Sequence, residues 1–352
     1  MIKDAGYKRE KLGKILTLLK QSDGREKLFA LAREARDEFF GREVFAYGFN
    51  YFSTYCKNNC SFCNYRIDNR KILRYRNSHE QVVADAKRLA DSGVHLIDLT
   101  MGEDPHFKNH PTRLVDLISA VYTATGLPIM ISPGLVDERY LVDFRQAGAV
   151  WLALYQETFL PDAYKKLRLE QNFAQRLNFK RAALSAGLLV EEGILTGWGD
   201  GFGEALTSLL QIDQVNPTQL RMMTFVPQDG IPLAGGKPDS FEREPVLIAI
   251  MRLLYPHKLI PASLDVEGPA GLKSRLDAGA NIITSIIPPN SGLFGVARSG
   301  DIESGLRSLE QIKPIIENSG LRLASVAAYK EFIDRALKAQ ADARRTAMPE
   351  AV

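Results

Sequence analysis

Three cysteines, Cys56, Cys60 and Cys63, fall within eight residues, and they are the only cysteines in a chain of 352. Chance placement that tight is on the order of one in a thousand, so the spacing calls for a chemical reason. Thiolates gathered in a polar loop suit a soft metal centre: zinc, Cu(I) or an iron-sulfur cluster. Three ligands leave one metal position open. A zinc site would need a distant fourth ligand, His79 or His95, with neither C-x-x-C pairing nor an H-x-x-x-H partner. In a 4Fe-4S cluster the open iron is itself useful, because it can bind a substrate or cofactor that the cluster then reduces. Three buried structural thiols are the remaining alternative, although free cysteines scatter through cores more readily than they gather in a polar loop.

The pattern around this loop is a long alternation of strands and helices. Amphipathic helices are expected over 8–20 and 24–40, followed by an aromatic-rich strand over 43–52 whose C-terminal end feeds the cysteine loop. Ser78 and Gln81 form a capping box for a helix that Gly93 stops, and a strand follows over 95–101. The alternation continues as helix 111–125, strand 128–132, helix 137–147, strand 150–155, helix 172–186 and strand 189–195. Helix 202–214, strand 219–226, helix 241–255, strand 258–264, helix 268–278, strand 280–286 and helix 303–318 complete eight units. A last helix is expected near 326–340. Eight units without a composition break favour an α/β fold with a single closed (β/α)8 TIM-type barrel over residues 42–320, preceded by N-terminal helices over 1–41 and followed by a C-terminal helical tail over 321–352. An open doubly wound sheet would show the same alternation. Polar residues at strand ends speak for the barrel: Glu103 and Asp104, Ser132, Gln156 and Glu157, Gly197, Gln228, Asp265 and Ser291 would converge on one mouth.

Hydrophobic content of 45% and charged content of 25% are those of an ordinary globular chain, and a net charge of +3 does not support nucleic-acid binding. No apolar run approaches a membrane span and no signal peptide opens the chain, so a cytoplasmic location is expected.

Period two along 95–101 puts Leu96, Asp98 and Thr100 on one face of a strand. A carboxylate there is costly without a cation or donors, so Asp98 is either half of a structural ion pair or a receiver for a substrate ammonium. Ser263 and Asp265 share a face at the end of strand 258–264, and Arg221 lies on strand 219–226. One guanidinium, two carboxylates and a hydroxyl suit a small diamino acid, with Arg for its carboxylate and Asp for each ammonium. Arg221 neutralising Asp98 or Asp265 across the barrel would give the same sequence.

The C-x-x-x-C-x-x-C spacing, with Phe62 before the last cysteine, resembles the radical S-adenosylmethionine superfamily. The resemblance implies that three cysteines hold a 4Fe-4S cluster whose open iron is chelated by S-adenosylmethionine. The stretch 98–105 (DLTMGEDP) resembles the superfamily's Gly-Gly-Glu element, with Met101 in the first glycine position. Glu157 and Arg176 match an acid and an arginine of the biotin synthase and hydrogenase-maturase branch. By that resemblance Phe62, Gly102, Glu103, Ser132, Glu157 and Arg176 are cofactor contacts. From about residue 24 to 300 the chain resembles the 3-methylornithine synthase family, on segments 51–63, 98–105, 127–134, 154–158, 193–197, 223–228 and 260–265.

That family match implies a lysine mutase of pyrrolysine biosynthesis, in which Asp98, Arg221, Ser263 and Asp265 bind L-lysine. Hydrogen is taken from C4, C2–C3 breaks, and recombination at C4 leaves the old C3 as a methyl group. Tyr155 is a conceivable hydrogen donor, and 5′-deoxyadenosine is a simpler one. A flavodoxin or ferredoxin is the expected one-electron donor, and the protein is expected to act as a monomer. Asn64, where a second aromatic is expected, and the Arg-rich loop 66–76 depart from the pattern. Sulfur insertion of the biotin synthase kind would need an auxiliary cluster, for which no cysteine is left. A non-catalytic Fe-S carrier would not need Glu103 or a lined barrel mouth, and another small diamino acid could replace lysine.

Overall fold

The computed structural model describes residues 2–235, 242–288 and 307–347. Helices α1 (Ile2–Leu18) and α2 (Gly24–Phe40) precede strand β1 (Glu43–Ser53). The chain then alternates through α3 (His79–Asp91), β2 (Leu96–Met101), α4 (Pro105–Asn109), α5 (Pro111–Thr125), β3 (Ile129–Ser132), α6 (Tyr140–Gln146) and β4 (Ala149–Ala153). It continues through α7 (Pro161–Leu167), α8 (Phe173–Ser185), β5 (Leu189–Thr196), α9 (Phe202–Gln211), β6 (Gln219–Thr224), α10 (Arg243–Leu254) and β7 (Pro261–Ser263). The last elements are α11 (Leu272–Asp277), β8 (Ile282–Ile286), α12 (Leu309–Asn318), β9 (Arg322–Leu323) and α13 (Val326–Ala347).

The strands run parallel in the order β6-β5-β4-β3-β2-β1-β8-β7. The remaining seam is joined where Leu220 N–H donates to the Leu259 carbonyl at 2.9 Å and Leu259 N–H to the Thr218 carbonyl at 3.2 Å. The expected eight-stranded barrel is therefore present, with one narrow seam. Period two along β1 divides its side chains: Phe45, Tyr47, Phe49 and Tyr51 enter an inner cluster with Leu96, Met130 and Trp151, whereas Val44 and Ala46 join the outer layer under the helices. On α3 the buried Val82, Ala86 and Leu89 face that outer layer, each large aliphatic contributing roughly 1.5–3 kcal/mol. The capping box is formed as expected, with Gln81 N–H donating to Ser78 Oγ at 3.3 Å and Ser78 N–H to Gln81 Oε1 at 2.7 Å.

The differences from the sequence reading lie mostly in connections. Helices α4 and α7 were not anticipated, because each is short and starts at a proline inside a polar stretch. The helix expected over 137–147 shrinks to α6, and β7 keeps three residues of the strand expected over 258–264. The start of the helix expected over 303–318 and Ser291 lie outside the described residues. In the tail, β9 adds to the start of β1, and α13 lies across the bottom of the barrel, with Tyr329 and Ile333 in the inner cluster.

Candidate active site

The cysteines lie on the loop that leaves β1, and Arg74 organises that loop. Its guanidinium donates to the carbonyls of Thr54, Tyr65 at 2.9 Å, Arg66 at 2.6 Å and Asn69 at 3.3 Å. Asn64, the departure from the expected aromatic, is buried and accepts from Asn69 Nδ2 at 2.9 Å. Arg76 forms a two-pronged pair with Asp104, 2.7 Å on each prong, and Ser53 Oγ donates to the same carboxylate at 2.6 Å. Two arginines of the Arg-rich stretch are thus structural, while Arg70 and Lys71 are exposed beside them. Gly102 lets the loop press against the end of β2, since a Cβ there would sit 2.3 Å from the Tyr55 carbonyl oxygen and 2.8 Å from Cys56 Cβ.

All three thiols face one cavity of about 240 Å³ at the C-terminal mouth of the barrel. Burial pushes the Cys56 thiol up to about 11, with Cys60 and Glu103 adding to the effect. Burial and the other two thiols push Cys63 up as well. Raised in this way, the Cys56 and Cys63 thiols hold their protons more tightly, and a bound cation reverses that preference. Donors already point at sulfur: Gln171 Nε2 is 3.0 Å and Arg168 Nη1 3.7 Å from Cys60 Sγ, and Asn58 N–H is 3.4 Å from Cys56 Sγ. Such hydrogen bonds are among the means by which a protein tunes an iron-sulfur centre. Among the described residues no three His, Cys, Asp or Glu side chains converge on a single-ion site. His95, considered as a zinc ligand, lies at the far end of the barrel, accepting from Ala46 N–H and bonding the Ala324 carbonyl, each at 2.9 Å.

Around the cysteines, Glu103 lies at the exit of β2. Burial opposes its ionisation, but Arg176 at 3.4 Å and Lys57 at 3.3 Å outweigh it and hold the carboxyl below the usual range. The Lys57 approach to Oε2 lacks hydrogen-bond geometry, so that oxygen stays open to another donor. Glu157 sits at φ +67 and bonds Arg168 Nη2 at 2.5 Å. Arg176, expected with Glu157 to contact the cofactor, donates to the Tyr155 carbonyl at 2.7 Å and reaches Glu103. Phe62 packs under the Arg168 guanidinium at 5.5 Å, and Ser132 lines the same wall. Lys57, Arg168 and Gln171 carried no signal in the sequence, since each lies in an irregular connection.

Deeper in the barrel, Arg221 pairs with neither Asp98 nor Asp265. Its Nε donates to Glu191 Oε1 at 2.7 Å and its Nη1 to Thr284 Oγ1 at 2.9 Å, while Nη2 is buried without a partner. Asp98 lies beneath the cavity floor. Thr100, which does line the cavity, donates to its Oδ1 at 2.9 Å, and Oδ2 is buried without a partner. Burial, reinforced by Glu191, pushes Asp98 up to about 8. Asp265 is already matched: Arg307 Nη1 at 3.0 Å and Tyr51 OH at 2.8 Å both donate to its Oδ1. Ser263 Oγ stands 3.4 Å from Asp265 Oδ2 and 3.3 Å from Ser285 Oγ.

The expectation that all polar strand ends converge therefore needs correction. Glu103, Ser132, Glu157, Gln228 and Asp265 line the cavity. Asp104 is turned to Arg76 and caps α4, and Gln156 is turned outward to Lys180 and the Phe173 carbonyl. Gly197 lies off the cavity, its N–H donating to Asp200 at 2.6 Å.

Residues 50–200 match the model of the radical SAM superfamily. The chain is 45% identical over 319 residues to the 3-methylornithine synthase of Methanosarcina barkeri, covering 90% of this chain and 91% of that protein. It is 30% identical over 261 residues to the [FeFe] hydrogenase maturase subunit HydE of Thermotoga maritima, covering 73% and 74% of the two chains. The crystal structure of a methylornithine synthase superposes with a TM-score of 0.86 at 45% identity, over 91% of this chain and 95% of that one.

Proposed function

The chain belongs to the 3-methylornithine synthase family of radical S-adenosylmethionine enzymes, and from that premise we propose that its barrel isomerises L-lysine to 3-methylornithine. The observation that carries this is a pair of unmet polar atoms inside the barrel: among the described residues Asp98 Oδ2 lacks a donor and Arg221 Nη2 lacks an acceptor, both buried. Orphaned buried polar atoms are costly, and a ligand bearing both an ammonium and a carboxylate satisfies the two together.

The donor set fits the family's 4Fe-4S cluster. Cys56, Cys60 and Cys63 would hold it, with Arg168 and Gln171 bonding a ligand sulfur. Gly102, Glu103, Ser132, Glu157, Arg176 and Phe62 would hold S-adenosylmethionine, the open Oε2 of Glu103 suiting its amino group. When bound, this pair supplies one-electron cleavage of the sulfonium and hence a hydrogen-abstracting radical. The chain's own residues position and enclose. Arg221 takes the lysine carboxylate, Ser263 and Asp265 the α-amino end, and Asp98 the far ammonium. Anchors at both ends keep the two halves in place while the C2–C3 bond is broken and remade, and they fix the accepted chain length.

A small acidic one-electron donor such as a flavodoxin or ferredoxin fits the exposed Lys57, Arg70 and Lys71 near the cysteine loop. Among the described residues no helix is long and apolar enough to cross a membrane. We read the protein as a cytoplasmic monomer, with residues 42–320 as its catalytic barrel. Anaerobic incubation with L-lysine, S-adenosylmethionine and a reductant tests the reaction: the expected product is an isomer of unchanged mass with a new methyl doublet in its proton NMR spectrum. Cofactor cleavage that leaves lysine intact would refute it.

A further inference from the structure

Glu191 belongs to no motif and does not reach the cavity wall. It is fully buried on β5, yet its carboxylate takes three donors: Gln219 Nε2 at 2.8 Å, Arg221 Nε at 2.7 Å and Tyr155 OH at 2.8 Å. Gln219 is itself held from below. Its Oε1 accepts from Tyr47 OH at 3.1 Å, and the Tyr47 oxygen accepts from Tyr329 OH of α13 at 2.7 Å. Glu191 is therefore anchored through the barrel interior to the C-terminal helix.

Two inward acids, Asp98 on β2 and Glu191 on β5, compete for one guanidinium, whose field reaches both. The contact goes to Glu191. Higher in the barrel, Asp265 is matched by Arg307. Among the described inward-facing groups, two acid-base pairs thus cancel and Asp98 alone is uncompensated. Lysine, with two ammonium groups and one carboxylate, carries the single net positive charge that balances it.

We propose that Glu191 is a positioning residue that sets substrate specificity: by occupying Arg221 it keeps the guanidinium from collapsing onto Asp98, so that Asp98 stays open to the far ammonium of lysine. This rests on the lysine reading above. Removing the Glu191 charge leaves Asp98 as the inward carboxylate with an oxygen still unmatched, Asp265 being held by Arg307, and a buried cation without a partner is strongly disfavoured.

The test is anaerobic calorimetry on the cluster-loaded enzyme with S-adenosylmethionine, titrated with L-lysine and with L-norleucine, which lacks only the far amine. The wild-type protein should prefer lysine on the order of a hundredfold. Glu191→Gln, which keeps side-chain shape, should shrink that preference to within about threefold, mostly by loss of lysine affinity. A purely structural role would weaken both ligands alike, and an unchanged preference in this variant overturns the proposal. The double variant Glu191→Gln with Arg221→Met removes both charges of the buried pair, a change tolerated better than removal of one. It should bind both ligands more weakly and regain the wild-type preference; its failure to do so overturns the proposal even if the single variant does not fold. A wild-type protein with no preference for lysine would instead sink the lysine reading, and this inference with it.

Discussion

Gly134 sits at φ +70, and a Cβ there would lie 1.8 Å from Glu103 Cγ and 2.4 Å from Glu103 Cδ. Gly134→Ala therefore perturbs the cofactor site from behind. Alanine in the left-handed region costs about 1–2 kcal/mol. The clash falls on the stem of Glu103, so the carboxylate must swing away from Arg176 and Lys57. Charge-assisted contacts of that kind contribute about 1.5–3 kcal/mol. If Glu103 receives the amino group of S-adenosylmethionine, its affinity should fall roughly ten- to a hundredfold. Equilibrium dialysis with labelled cofactor measures that loss, and iron and sulfide analysis should show a full cluster, because the cysteine loop is untouched. The melting temperature should fall by about 2–4 °C for each kcal/mol of strain. Gly134→Asn separates the two effects, since asparagine tolerates the left-handed region yet still carries a Cβ. It should recover part of the stability and none of the affinity. Wild-type cofactor affinity in Gly134→Ala, with a full cluster, would refute the placement of Glu103.

Replacing Cys56, Cys60 or Cys63 singly with Ala should abolish cluster reconstitution and cofactor cleavage, because no spare cysteine exists; full iron content in all three variants would contradict this. Arg221→Lys loses the bond to Thr284 and the open Nη2, so lysine binding should weaken by roughly 1–3 kcal/mol while calorimetry still detects cofactor binding. Asp98 should govern the acid limb of lysine turnover, kcat/KM rising with pH up to about 8, and Asp98→Asn should remove the limb and most lysine affinity. The same group leaves a mark on stability. An unfolded aspartate ionises near pH ~4, whereas the folded Asp98 keeps its proton to about 8, so the stability it confers at low pH is lost as pH rises between those values. Asp98→Asn should then melt progressively higher than wild type as pH rises from about 5 to about 8.5, and parallel melting curves would contradict the buried, unpaired assignment.

The barrel was legible because strand and helix periods alternate without interruption, and because the capping box at Ser78 and Gln81 marks a helix start by side-chain chemistry alone. The thiol loop was legible from spacing. What escaped were partners brought together from distant strands. The run LVEEGILT of β5 did carry a hint: consecutive acids in a buried parallel strand must face opposite layers. Glu191 turns in to Arg221 and Glu192 turns out to Lys180. Nothing local told which cation each would meet, so Arg221 was weighed only against Asp98 and Asp265. Arg168 lies in a connection without period, where hydrophobic patterning says nothing about direction, and Arg307, expected inside the helix over 303–318, precedes α12 instead. Asp98 was recognised as needing a partner, and its isolation became visible only once Arg221 was seen to be engaged elsewhere.

If lysine and S-adenosylmethionine bind as proposed, the C4 hydrogen of lysine lies beside the cofactor within one closed barrel. Turnover of lysine deuterated at C4, followed by mass spectrometry of recovered product and cofactor, tests that placement most directly. Deuterium is expected in the product's methyl group and in recovered S-adenosylmethionine. A product methyl free of label, with one 5′-deoxyadenosine released for each lysine converted, would contradict it.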